Sequence, residues 1–105
     1  MKIAIASHEN HLKSIINPHF GRSDWFLLYD TVKDEYEFIE NPKRYNKEVA
    51  GCDAADMLIE QGIKIAVAGR FGSKVTDLFR SKQVQMIIPK QEEILENFVR
   101  KFKKA

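Results

Sequence analysis

One cysteine, three prolines and five glycines in 105 residues already set limits. A lone thiol, Cys52, cannot close an internal disulfide, and it cannot supply a four-cysteine zinc or iron–sulfur cage within one chain. No apolar run approaches the roughly 20 residues that span a bilayer. The opening Met1-Lys2-Ile3-Ala4-Ile5-Ala6-Ser7 is too short for a signal peptide and runs straight into His8-Glu9-Asn10. A soluble, cytoplasmic protein is expected. Several motifs of fixed spacing are missing as well: the GxxxxGK[ST] phosphate loop, the helical HExxH zinc site and the GxSxG nucleophile elbow. The first strand carries no carboxylate, which a two-metal nuclease would want there. Catalysis by a hydrolase or nuclease therefore has no specific support.

Strong charge of one sign is absent too. The chain has 17 Lys+Arg against 15 Asp+Glu, a formal net charge of +2. Four of the positive charges, Arg100, Lys101, Lys103 and Lys104, fall in the last six residues. Without them 13 basic residues face 15 acidic ones, so the body is slightly acidic. Nucleic-acid recognition wants basic residues spread over a face, so no nucleic-acid partner is expected, and no membrane partner either. The basic end has a simpler explanation, because cations complement the C-terminal end of a helix dipole. The 30% charged content, rich in Lys and Glu, suggests a thermophilic source.

What is present is enough apolar material, 44% of residues, for one core in one domain over 1–105. Lys2–Ser7 reads as a buried strand, and Trp25–Tyr29 as a strand buried on both faces. Asp30-Thr31-Val32-Lys33-Asp34 is turn chemistry, and Glu35–Ile39 returns as a hairpin partner. Pro18 and Gly21 make the stretch between the first two strands a long loop. Asn41–Ala50 is expected to be a second loop. From Gly51 the period changes, with Ala54, Ala55, Leu58 and Ile59 on one helical face and Gly62 as the stop. Ile63–Ala68 is a strand, and a helix follows with Val75, Leu78 and Phe79 inward. Val84–Ile88 is the last strand. A final helix beginning at Glu92 and Glu93 carries the stripe Ile94, Leu95, Phe98, Val99 and Phe102. This order, a meander followed by crossover units, predicts an α/β fold with a five-stranded mixed sheet flanked by about three helices.

Three stretches offer chemistry. The loop after the first strand holds all three histidines, His8, His11 and His19, and imidazole is the commonest metal-binding side chain. Gly69-Arg70-Phe71-Gly72-Ser73-Lys74 runs from a strand into a helix, where glycines allow close backbone approach and N–H groups favour anions; a plain tight turn is the alternative. Gly51-Cys52-Asp53 opens the first helix, where a thiolate is favoured, against the alternative of a small residue under a loop. In an open sheet, strand ends and helix starts gather on one edge, so all three can line a single crevice.

The segments Lys2–Ser7, Asn17-Pro18-His19-Phe20-Gly21-Arg22-Ser23-Asp24-Trp25-Phe26, Ile39-Glu40-Asn41-Pro42, Gly51-Cys52-Asp53-Ala54-Ala55, Leu58–Ile63 and Ala68-Gly69-Arg70-Phe71-Gly72 resemble the dinitrogenase iron–molybdenum cofactor biosynthesis family. The likeness runs from Met1 to about Pro89, and 17–26 is its most specific part. It implies a ribonuclease H-like fold and a non-enzymatic carrier or assembly factor for a metal–sulfur cluster. That cluster would be the iron–molybdenum cofactor or a related molybdenum, iron or copper sulfide. One related group holds a molybdenum–copper sulfide without covalent attachment. Cluster donor and acceptor proteins are the implied partners, and His19 is the implied metal ligand. A large anionic cluster wants backbone N–H groups and cations around it, so Arg22 and Arg70 are expected to pair with sulfide or an organic acid, Cys52 to ligate or sit nearby, and Gly69, Arg70 and Gly72 to form the anion-binding turn. Ser73 departs from the family, which usually has Pro there. The chain also ends soon after its last helix, without the domain that docks on nitrogenase, so a general cluster-binding role is expected. A small protein- or metabolite-binding module on the same fold is the alternative.

Overall fold

The computed structural model describes residues 1–42 and 50–102, including all their side chains except those of Ala50 and Gly51. Five strands and three helices follow in the order β1 (Lys2–Ser7), β2 (Trp25–Asp30), β3 (Glu35–Glu40), α1 (Ala50–Glu60), β4 (Ile63–Val67), α2 (Ser73–Ser81), β5 (Gln85–Ile87) and α3 (Leu95–Arg100). The strands form one mixed sheet in the order β3-β2-β1-β4-β5. Antiparallel pairing joins β1 to β2 and β2 to β3, while β4 lies parallel to β1 and β5 parallel to β4. The predicted second loop falls mostly on 43–49, outside the described residues, and its last residue, Ala50, opens α1.

Alternation along the central strands sorts the core into two layers. Ala4, Ala6 and Ala66 face α1 and α2, and these small side chains leave room for Phe26, Leu58 and Phe79 above them. Ile3, Ile5, Leu27, Ile65 and Val67 face the other way, where bulk compensates for a single short helix offering Leu95, Phe98 and Val99. Gly62 ends α1 in the left-handed region at φ 86°, where a side chain would be strained. The last helix is shorter than the sequence pattern suggests. Ile94 keeps an extended backbone as its N-cap, and Glu92 and Glu93 precede it. Glu93 instead pairs with Lys101 at 2.6 Å and its carbonyl accepts from Ile16 N–H at 2.9 Å. Arg100 stands in the last turn as the dipole argument expects, while Lys103 and Lys104 lie outside the described residues.

The loop between β1 and β2 is fixed by buried polar groups. The buried polar residues among those described are Ser7, Ser14, Asn17, Ser23 and Asn41, all in this loop or at the strand ends it meets. Ser23 Oγ accepts from Ser7 N–H at 3.0 Å and lies 2.7 Å from Trp25 O as donor. Asn41 Nδ2 donates to Gly21 O at 3.1 Å and Ser23 O at 2.9 Å. Asn17 donates its backbone N–H to Ala6 O at 2.8 Å and accepts from Gly69 N–H at 3.1 Å. Pro18 then crosses so close to Gly69 that a Cβ there would stand 2.5 Å from Pro18 Cα and 2.8 Å from its carbonyl oxygen.

Two predictions follow from this packing. Gly69→Ala must push Pro18 aside, backbone against side chain, and should cost about 3 kcal/mol, the upper part of the range for overpacking. Urea denaturation measures it, and a change within about 0.5 kcal/mol would show that the two segments are not in contact in solution. The second concerns Tyr29, which is buried and donates to Asp34 Oδ1 at 2.7 Å. Burial first, then the Asp34 carboxylate, pushes its hydroxyl up to about 12. The folded state therefore holds this proton more tightly than the unfolded chain, whose value is near 10. The associated stability is complete below about pH 10 and is lost as pH rises towards about 12. Between those limits Tyr29→Phe should lose less stability than the wild type, and parallel losses would contradict the assignment.

Candidate functional site at the carboxyl edge of the sheet

The C-terminal ends of β1 and β4 lie side by side, and the chain leaving each runs on in register with the other. His19 and Arg70 form a short parallel bridge, and Phe20 N–H donates to Arg70 O at 3.3 Å. Successive residues of extended backbone point to opposite sides. The two dipeptides His19-Phe20 and Arg70-Phe71 therefore send both aromatics inward and both polar side chains outward. Phe20 is buried, with ring centroids 5.2 Å from Phe26, 5.3 Å from Phe71 and 5.3 Å from Phe79. His19 and Arg70 are exposed. Neither imidazole nor guanidinium has a side-chain hydrogen bond or ion pair among the described residues.

The predicted site residues divide into those the fold gathers and those it separates. His19 and Arg70 are brought together across the bridge. Arg22 is exposed on the same edge, between Gly21 and Ser23, whose carbonyls Asn41 fixes. Gly69 is where the sequence expects it, but the space its missing side chain leaves is filled by Pro18 and not by a ligand. Gly72 is the N-cap of α2, extended at φ −66° and ψ 159°, with no side-chain cap and open space around it. Ser73 is the first residue of α2, so the helix begins there without the family's usual proline. Cys52 lies in α1, half-buried against the apolar cluster beneath α1 and α2. Among the described residues no hydrogen bond links it to His19, Arg22 or Arg70. No group of three or more His, Cys, Asp or Glu side chains suited to a metal ion gathers among the described residues.

The other two histidines go separate ways. His11 is exposed and bonded to the Glu9 carboxylate. His8 is half-buried, its Nδ1 3.5 Å from Asn17 Nδ2. Sequence reasoning missed Asn17 and Asn41, although both carried a signal. Each stands directly before a proline, in an Asn-Pro pair that favours a turn held by the Asn side chain.

A crevice of about 260 Å³ beside the bridge is lined by Pro18, Gly69, Pro89, Gln91, Glu92 and others. The more voluminous groove between β5 and α3, about 880 Å³, touches neither His19 nor Arg70. Among the described residues the edge thus offers one unpartnered imidazole, His19, across a bridge from Arg70, with Arg22 exposed three residues on. Such a set suits a large anion that carries metal, since the imidazole can bind metal while cations neutralise charge.

Comparison with known proteins agrees in fold. The apo form of the orange protein from Desulfovibrio gigas superposes with a TM-score of 0.88 at 22% identity, over 96% of this chain and 85% of that one. An NMR structure from Thermotoga, described as a candidate NifB protein of the DUF35 family, gives 0.77 at 19% identity, over 96% and 85%. Among curated proteins no sequence matches. The described helices include none long and apolar enough to cross a membrane. The family model described as dinitrogenase iron-molybdenum cofactor matches residues 1–105, and the chain belongs to that family.

Proposed function

We propose that the protein is a non-enzymatic carrier or assembly factor that holds a metal–sulfur cluster as cargo and passes it between donor and acceptor proteins. The observation that carries this reading is the His19–Arg70 bridge, which sets one metal-binding imidazole beside one cation on the exposed edge of the sheet. Family membership supports the class of cargo, an iron–molybdenum or related metal–sulfide cluster. The strand order 3-2-1-4-5, with only β2 antiparallel to the rest, supports the ribonuclease H-like class for the fold. On such a fold a nuclease would place carboxylates on β1, and Lys2–Ser7 has none.

The residues account for reversible holding. A sulfide-bridged cluster is large and anionic, and most of its binding energy would come from charge and hydrogen bonds and not from covalent ligands. His19 would supply the direct metal bond, and Arg70 and Arg22 would pair with sulfide or an organic acid. Cys52, half-buried in α1, would act from the cluster's surroundings if at all. One ligand holds less firmly than a four-thiolate cage, so the cargo can leave when an acceptor offers more.

Anaerobic reconstitution with iron, molybdate or copper together with sulfide, followed by desalting and metal analysis, tests the reading. Wild type should retain metal, and His19→Ala should retain at least about tenfold less. Reversing Arg70 to Glu should weaken retention and flatten its salt dependence. Equal and negligible uptake by wild type and His19→Ala would remove the carrier reading.

A further inference from the structure

His8 has no role in the site described so far, yet it is joined to it through one side chain. Asn17 is 4% exposed, and its backbone is held on both sides, by Ala6 O and Gly69 N–H. Its Oδ1 accepts the backbone N–H of His19 at 2.9 Å. That bond fixes which way the amide faces, because a flipped amide would set its NH2 group against another N–H. Nδ2 therefore faces the Nδ1 of His8, 3.5 Å away. An amide nitrogen of this kind only donates, so the His8 atom it meets must offer a lone pair. A neutral imidazole with its lone pair on Nδ1 carries its proton on Nε2.

The geometry points to His8 as a fixed N–H donor of the same site, presenting Nε2–H to the anionic face of the cargo and not serving as a second metal ligand. His8 is half-buried, and Nε2 is the ring nitrogen that does not face the buried Asn17. A sulfide or carboxylate oxygen accepts such a bond, while a metal ion needs the lone pair that Nε2 lacks in this tautomer. One amide thus gives two histidines different work. It pins the backbone of His19, whose ring has no partner among the described residues, and it commits His8 to donation. For the nature of the ligand this inference rests on the carrier reading; for the tautomer of His8 it does not.

The two parts are tested separately. Long-range nitrogen–proton NMR of the cargo-free protein at neutral pH reads the tautomer. A His8 ring protonated on Nε2 and bare on Nδ1 is expected, and the Nδ1–H form would overturn the assignment. Asn17→Asp places an acceptor where the donor stood, while still able to receive the His19 N–H, and should draw a proton to Nδ1. A ring unchanged by that substitution would show that Asn17 does not set it. Retention of the cluster reconstituted from iron, molybdate and sulfide provides the second readout, and it does not depend on Asn17→Asp folding. His8→Ala should lose retention about tenfold, the scale of one bond to a charged acceptor. His8→Gln, which keeps an N–H donor, should restore it to within about threefold of wild type. Equal losses in both variants, matching His19→Ala, would make His8 a metal ligand and overturn the proposal. Failure of the wild type to retain any cluster would count against the carrier reading, while the tautomer is still decided by NMR.

Discussion

Everything distinctive about the edge of this sheet depends on the approach of Pro18 to Gly69. Two chain segments meet there with no side chain between them, at a distance that a single methyl group would close. The contact aligns the loop after β1 with the loop after β4, and the backbone bonds from Gly69 to Asn17 and from Phe20 to Arg70 follow from that alignment. The glycine thus serves the protein's own backbone. Through it the neighbouring Arg70 is set against the loop after β1.

Alignment alone would leave a loose flap. What makes it rigid is the division of labour within His19-Phe20 and Arg70-Phe71. The inward aromatics join the ring cluster of Phe26 and Phe79, where burial of such rings contributes strongly to the core. Their neighbours are then held outward by the geometry of extended backbone. Two polar side chains are fixed at their roots by apolar packing and, among the described residues, left without partners at their tips. That is the property a site needs when its ligand supplies the opposite charge.

Much of this was legible in the sequence. The five strands and three helices, the mixed sheet and the place of His19 and Arg70 on one edge all follow from hydrophobic period, turn residues and the rule for strand ends. Three things were not legible, each for a physical reason. The start of α3 at Leu95 is set by a tertiary bridge between Ile15 and Ile94 that holds Ile94 extended, against a sequence pattern that favours helix from Glu92. The purpose of Gly69 depends on a residue 51 positions away, and no local reading shows it. For Asn17 and Asn41 the Asn-Pro pairs announce turns, but burial of each amide by distant backbone leaves no periodic trace. For Cys52 the sequence left two readings, a thiolate at a helix start or a small packed residue, and in the fold it is half-buried against the core.

One connection gives the far end of the chain a say in the site. Leu95 and Glu96 donate their backbone N–H groups to Ser14 and Leu12, Ile16 donates to Glu93, and Lys13 pairs with Glu96 at 2.6 Å. The short last helix is therefore laced to the same loop that carries Asn17 and His19. Detaching α3 would break all of these bonds at once, so loop and helix share the contacts that resist local opening.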